Sequence, residues 1–104
     1  MTRVVVAHRD EVEQGRVFTD LPNGEPVLVV QHQGQWYAVG GLCPHQFAPL
    51  LGGQVDDNGV LTCPLHGWRF DLRDGRDPGN EFICVPTWPC GWDGDELWVD
   101  IAEP

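Results

Sequence analysis

Helical periodicity is the first thing missing from this sequence. Windows that repeat apolar residues at a spacing of three and four are scarce, so an α-helical or helix-covered parallel fold is not expected. Cations are scarce as well: 6 Lys and Arg stand against 16 Asp and Glu, a formal charge of −10. Such a surface repels phosphate backbones, which excludes nucleic acid as an expected partner. It suits a transient encounter with a basic patch on another protein, although the same charge also serves solubility alone. No apolar run reaches the length of a membrane span, and the start "MTRVVVAHRD" meets acidic residues too early for a signal peptide. The expected location is the cytoplasm, with no membrane partner. No Cys-x-x-Cys pair opens a helix, so thioredoxin-type thiol chemistry is excluded. Repeats, linkers and low-complexity segments are absent too, and 104 residues suffice for one modest core. A single domain, 1–104, is the expectation.

Turn-forming residues, by contrast, are plentiful: 13 Gly and 9 Pro. Between them lie short β-branched or alternating runs. "RVVVA" is a compact strand, "DEVEQG" reads as one acidic helical turn closed by Gly15, and two strands are expected at 26–32 and 35–39 around Gln33–Gly34. Asn58–Gly59 is a strong hairpin signal feeding a strand at 60–62. In "WRFDLRDGR", Trp68, Phe70 and Leu72 alternate with Arg69, Asp71 and Arg73 before a turn at Asp74–Gly75, and "DELWVDI" follows a turn at Asp93–Gly94. The fold class expected is all-β, an antiparallel sandwich or small barrel.

Two stretches carry chemistry. "GGLCPHQ" sets Cys43 and His45 around Pro44; twenty residues after that cysteine, "TCPLHGW" sets Cys63 and His66 around Pro64. Each proline fixes a backbone torsion and removes an amide donor, stiffening its loop. Two thiolates and two imidazoles would make an acceptable tetrahedral zinc shell, but finger-like sites pair like with like, whereas each turn here supplies one of each. A two-iron, two-sulfide cluster explains the mixture. With Cys43 and Cys63 on one iron and His45 and His66 on the other, each loop reaches both metals, the Rieske arrangement. Two ferric ions and two sulfides leave a doubly positive core that two thiolates neutralise. Four thiolates would leave it doubly negative and harder to reduce. Zinc stays open as the alternative on the residues alone.

Cys-Pro-His, seventeen residues, then Cys-Pro-Leu-His-Gly-Trp resembles the signature of the Rieske-type ferredoxins. "NGVLTCPLHGWRFDLRDGR" is similar to the family's second cluster loop with its following hairpin, and "GDELWVDI" to its closing strand. The start "CPHQ", the short loops and Cys84 resemble the small ferredoxins of multicomponent aromatic oxygenases of the toluene monooxygenase type. The resemblance implies a Rieske fold with a cluster-binding subdomain at about 41–70, holding one [2Fe-2S] cluster on Cys43, His45, Cys63 and His66. It implies a soluble electron carrier and not a catalyst, passing one electron from a flavin-dependent reductase to a terminal oxygenase as a monomer. The small subunit of an assimilatory nitrite reductase is the competing class with the same fold. High-potential members carry an extra disulfide between the loops and a hydroxyl beside the second histidine. Here Phe47, Ala48, Leu65 and Trp68 stand nearby instead, so a potential of roughly −150 to 0 mV is expected.

The remaining residues admit plainer readings. Gln46 and Phe47 are expected at the partner-facing rim, with Pro44, Pro64, Gly67 and Trp68 around the cluster. Asp77–Asn80, with Pro78, resembles the family's third, proline-bearing loop and is otherwise simply a turn. Cys84 and Cys90 are expected as free buried thiols. His8 and His32 are expected as ordinary surface histidines. Trp36, Tyr37, Phe70, Trp88 and Trp98 are expected to fill the core or pack loops.

Overall fold

The computed structural model describes residues 2–44, 47–65 and 67–101, Glu81 by its backbone only. Strands make up nearly all of the regular structure. In chain order they are β1 (Thr2–His8), β2 (Arg16–Asp20), β3 (Pro26–His32), β4 (Gln35–Gly40), β5 (Gln54–Val55), β6 (Val60–Thr62), β7 (Arg69–Asp71), β8 (Arg76–Asp77), β9 (Asn80–Cys84), β10 (Thr87–Trp88), β11 (Cys90–Asp93) and β12 (Glu96–Ile101). The acidic turn expected before Gly15 is a single 3-10 turn, Arg9–Glu11. His8 caps it by accepting from the Asp10 amide, and Glu11 reaches back to the His8 amide at 2.8 Å.

All strand pairings among the described residues are antiparallel. The sheets run β1-β12-β11, β10-β4-β3-β2, β5-β6-β7 and β8-β9, each with two open edges. Of the two expected forms, the sandwich is the one observed; no closed barrel forms among the described residues.

β3 explains how the layers stack. Its run Val27–Val30 is buried throughout, which period-two alternation permits only when both faces of the sheet are covered. Val27 and Val29, with Ala38 of β4, face a core shared with Ala7, Leu97 and Val99 of the β1-β12-β11 sheet. Leu28 and Val30, with Val39 of β4, face a second core shared with Leu61 of β6, Phe70 of β7, and both Cys43 and Cys63. The β10-β4-β3-β2 sheet is therefore the middle layer, with the cysteine turns on one side of it only.

Where β4 ends and the first turn begins, Gly41 is required by space. A Cβ there would stand 2.6 Å from the Phe18 ring. The bare backbone instead donates to the Pro26 carbonyl at 3.0 Å and accepts from the Leu50 amide at 2.8 Å, so both ends of the first turn are tied to the middle sheet.

Candidate metal centre

The two cysteine turns are built alike. In the first, the Cys43 amide donates to the Ala48 carbonyl at 2.8 Å and the Phe47 amide donates to the Cys43 carbonyl at 2.6 Å. In the second, the Cys63 amide donates to the Trp68 carbonyl at 2.7 Å and the Gly67 amide donates to the Cys63 carbonyl at 3.1 Å. The offsets of five and four residues are identical. Neither bond uses the amide after the cysteine, so Pro44 and Pro64 occupy those positions without losing one. The fourth residue after each cysteine is left-handed, Phe47 at φ 56° and Gly67 at φ 74°. The histidines are spaced differently in the sequence: His45 is two residues after its cysteine and His66 three after its own.

Cys43 and Cys63 point inward, at 0% and 1% exposure, into the core that contains Leu50, Leu61, Phe70 and Leu72. Trp68 and Ile83 lean on the same core. Phe47, Pro44, Pro64, Leu65 and Gly67 face outward. Two thiols held at neighbouring stiff turns in an apolar core fit an iron–sulfur group well, because a thiolate buried there needs a metal to offset its charge. His45, His66 and Gln46 lie outside the described residues. Among the described residues no three His, Cys, Asp or Glu side chains gather as a further metal site.

The second turn is braced from several directions. A Cβ on Gly53 would strike the Thr62 carbonyl, next to Cys63, and come within 2.9 Å of Leu61. Arg16 of β2 reaches across to donate to the carbonyls of Gly53 and of Leu51, the latter at 2.7 Å. That clamp joins residues 35 apart in sequence, and no local pattern announces it. After β7, Arg73 grips Asp71 through both carboxylate oxygens, at 2.9 and 2.7 Å. This side-chain hydrogen bonding holds the Asp71 carboxyl below the usual range, against an opposing effect of burial.

The other sequence-selected residues fall elsewhere. Pro78 sits in the exposed turn between β8 and β9 and lines a hollow with Asp71, Asp74 and Arg76. No disulfide forms among the described cysteines. Cys84 and Cys90 are not both buried as expected: Cys84 is exposed and Cys90 half-buried. On β9 it is Ile83 that turns inward, so alternation sends Phe82 and Cys84 outward. Burial pushes the Cys90 thiol up to about 11. His8 is exposed, as expected, but His32 is not an ordinary surface histidine. Its Nε2 is buried with no hydrogen-bond partner among the described residues, beneath Gly59, where an added Cβ would lie 3.5 Å from the ring. Phe70 is fully buried. Trp36 and Trp88 pack against the first core and Tyr37 against the second, while the half-buried Trp98 lies 3.8 Å beneath the Arg3 guanidinium.

Comparison with known proteins agrees with this arrangement. Residues 2–89 match the Rieske [2Fe-2S] domain family. The chain is 31% identical over 104 aligned residues to the ferredoxin component of the alkene monooxygenase system of Xanthobacter autotrophicus, covering 89% of this chain and 85% of that one. The ferredoxin of carbazole 1,9a-dioxygenase from Nocardioides aromaticivorans superposes with a TM-score of 0.78 at 32% identity, over 95% of this chain and 97% of its own. A structure described as an NADH-dependent nitrite reductase small subunit, from Mycobacterium tuberculosis, superposes with a TM-score of 0.84 over 98% and 97% of the two chains. At 24% identity that likeness speaks for the fold alone. With two buried thiols in twin turns and a family match spanning both, the chain belongs to the Rieske [2Fe-2S] domain family, and its cofactor is one Rieske-type cluster.

Proposed function

We propose that this protein is a ferredoxin that takes one electron from a flavin-dependent reductase and gives it to the terminal oxygenase of a multicomponent, aromatic-ring-hydroxylating system. Cys43 and Cys63 hold one iron and His45 and His66 the other, within a cluster-binding portion at about 41–70 of a single domain, 1–104. When bound, the cluster supplies a one-electron couple and no bond-making chemistry. The chain's own residues hold the sulfur donors away from water, stiffen the turns through Pro44 and Pro64, and leave the turn tips outward for close approach. The protein acts as a monomer in the cytoplasm; no helix among the described residues is long and apolar enough to cross a membrane.

The observation that carries this reading is the pair of inward thiols at the same position of two identically bonded turns, in a chain similar along 89% of its length to an oxygenase-system ferredoxin. A nitrite reductase subunit shares the fold, yet retention of Cys43, His45, Cys63 and His66 favours a working carrier. The purified protein is expected to be reddish-brown, to release labile sulfide with acid, and to give a rhombic electron resonance signal after dithionite. Voltammetry is expected at roughly −150 to 0 mV. A colourless protein holding a single zinc ion would overturn the assignment.

A further inference from the structure

Charge is distributed very unevenly along this chain. Residues 26–55 contain no Asp, Glu, Lys or Arg, and neither do residues 58–68. These segments carry both cysteine turns, so any formal charge felt there is brought in by another part of the chain. Arg16 of β2 brings one. Its Nη1 donates to the carbonyls of Leu51 and Gly53. Among the described residues it is the only cation whose hydrogen bonds enter residues 26–55. Hydrogen bonding alone does not ask for a charge at this place, since one nitrogen serves both carbonyls and a neutral amide nitrogen also carries two hydrogens. Nor does a carboxylate neutralise it. Among the described residues Arg3 pairs with Asp100, Arg9 with Asp95 and Arg73 with Asp71, and Arg16 with none. Glu11 and Glu13 line the hollow beside it without reaching ion-pair distance.

That charge stands behind the Cys63 turn. Gly53 backs onto the Thr62 carbonyl, next to Cys63. Gly52 and Gly53 line one hollow with Arg16 and another with Thr62, Cys63, Pro64 and Gly67, so two residues without side chains form the partition. We propose that Arg16 sets the potential of this electron carrier: its guanidinium, held behind the Gly52–Gly53 wall, favours the reduced cluster over the oxidised one. This rests on the ferredoxin reading above and deepens it. With two thiolate ligands the oxidised core is formally neutral and the reduced core carries one negative charge. A neighbouring cation therefore attracts the reduced form alone, against the field of a chain at −10. Arg16 is half-buried, so salt screens it less than it screens an exposed side chain.

Voltammetry of three holoprotein variants separates the charge from the clamp. Arg16→Gln keeps a neutral donor, Arg16→Lys keeps the charge on a different head group, and Arg3→Gln removes an equal charge from the opposite side of the molecule, over Trp98. In R16Q the ratio of reduced to oxidised cluster at a fixed applied potential is expected to fall roughly three- to tenfold. For one electron, at about 59 mV per tenfold change, that is a potential lower by about 28 to 59 mV. R16K and R3Q should each stay within about twofold of wild type, or about 18 mV. Cluster content and melting temperature, followed in parallel, report on the clamp: R16K is expected to lose some stability while its potential holds. Equal potential shifts in R16Q and R16K would show that only the clamp matters, and a shift in R3Q equal to that in R16Q would reduce the effect to net charge. Either result, an R16Q potential equal to that of wild type, or an R16Q protein unable to hold the cluster, would overturn the role given to Arg16. Absence of the cluster spectrum in the wild-type protein would instead overturn the ferredoxin reading, before any variant is made.

Discussion

Toward Val27 and Val29, the middle sheet packs on strands whose outer surface is laced with charge and aromatic rings. Arg3 lies over Trp98, Arg9 over Trp92, and Trp36 meets Trp92 edge-on at 5.3 Å. Toward Leu28 and Val30 it packs on a smaller sheet and two turns that hold sulfur and no formal charge. Both cores are buried at their centres, yet one side covers its outer surface with cations over indole rings, while the other carries prolines and exposed apolar side chains at its turns, with the Arg73–Asp71 ion pair set on the strand that follows. The difference separates holding the chain together from holding a cofactor, with β3 as the shared wall.

Substitutions can test that separation, beginning with the most damaging. Cys63→Ala should abolish visible absorption and the reduced-state resonance signal, leaving the β1-β12-β11 side with its native far-ultraviolet spectrum; a coloured C63A protein would refute the ligand assignment. Next come matched core deletions. Phe70→Ala should cost about 3–5 kcal/mol and lower cluster content with it. Leu97→Ala, buried to the same degree across the middle sheet, should cost about 2–5 kcal/mol while leaving the reduction potential where it was. A loss of cluster content in L97A equal to that in F70A would erase the division between the two sides, and denaturation followed at visible and far-ultraviolet wavelengths would reveal it. Gly53→Ala drives a methyl group into the Thr62 carbonyl beside Cys63. It should cost about 1–3 kcal/mol and accelerate cluster loss on storage, a local effect on the sulfur side alone.

The smallest effect is acid-dependent. Asp71 titrates below the ordinary carboxylate range in the folded protein, chiefly through its hydrogen bonds to Arg73. Its contribution is therefore present above the unfolded carboxyl value and disappears as pH falls through the folded one, below about pH 4. Asp71→Asn should flatten the acid limb of the stability profile slightly and leave stability at pH 8 little changed, since Arg73 is largely exposed.

Much of this architecture is written in local patterns. The strand Val60–Thr62 and the turns at Asn58–Gly59 and Asp93–Gly94 follow directly from turn chemistry beside β-branched runs, and Pro26–His32 from its apolar stretch. Strands β9 and β11 are not legible in that way. Among the described residues β9 pairs only with the two-residue β8, across a bulge. β11 reads Cys-Gly-Trp-Asp, poor strand material until one sees that Gly91 makes room for the Trp98 ring, 2.7 Å from where a Cβ would be. The metal centre is readable because Cys-Pro-His and Cys-Pro-Leu-His are compact. What escapes is the long-range bracing: the Arg16 clamp, the His32 ring under Gly59, and the left-handed turn at Phe47, each set by tertiary contact or backbone shape and by no neighbour in sequence.

The contrast among the four thiols makes the molecule easy to instrument. Cys43 and Cys63 are shielded in the core, and Cys90, half-buried with its thiol at about 11, stays protonated and inert near neutral pH. Cys84 alone faces solvent. A maleimide dye or nitroxide should therefore attach at one position without prior mutagenesis, beside Ile83 and the sulfur-bearing core, and serve as a ruler for the distance to whatever surface the turns meet.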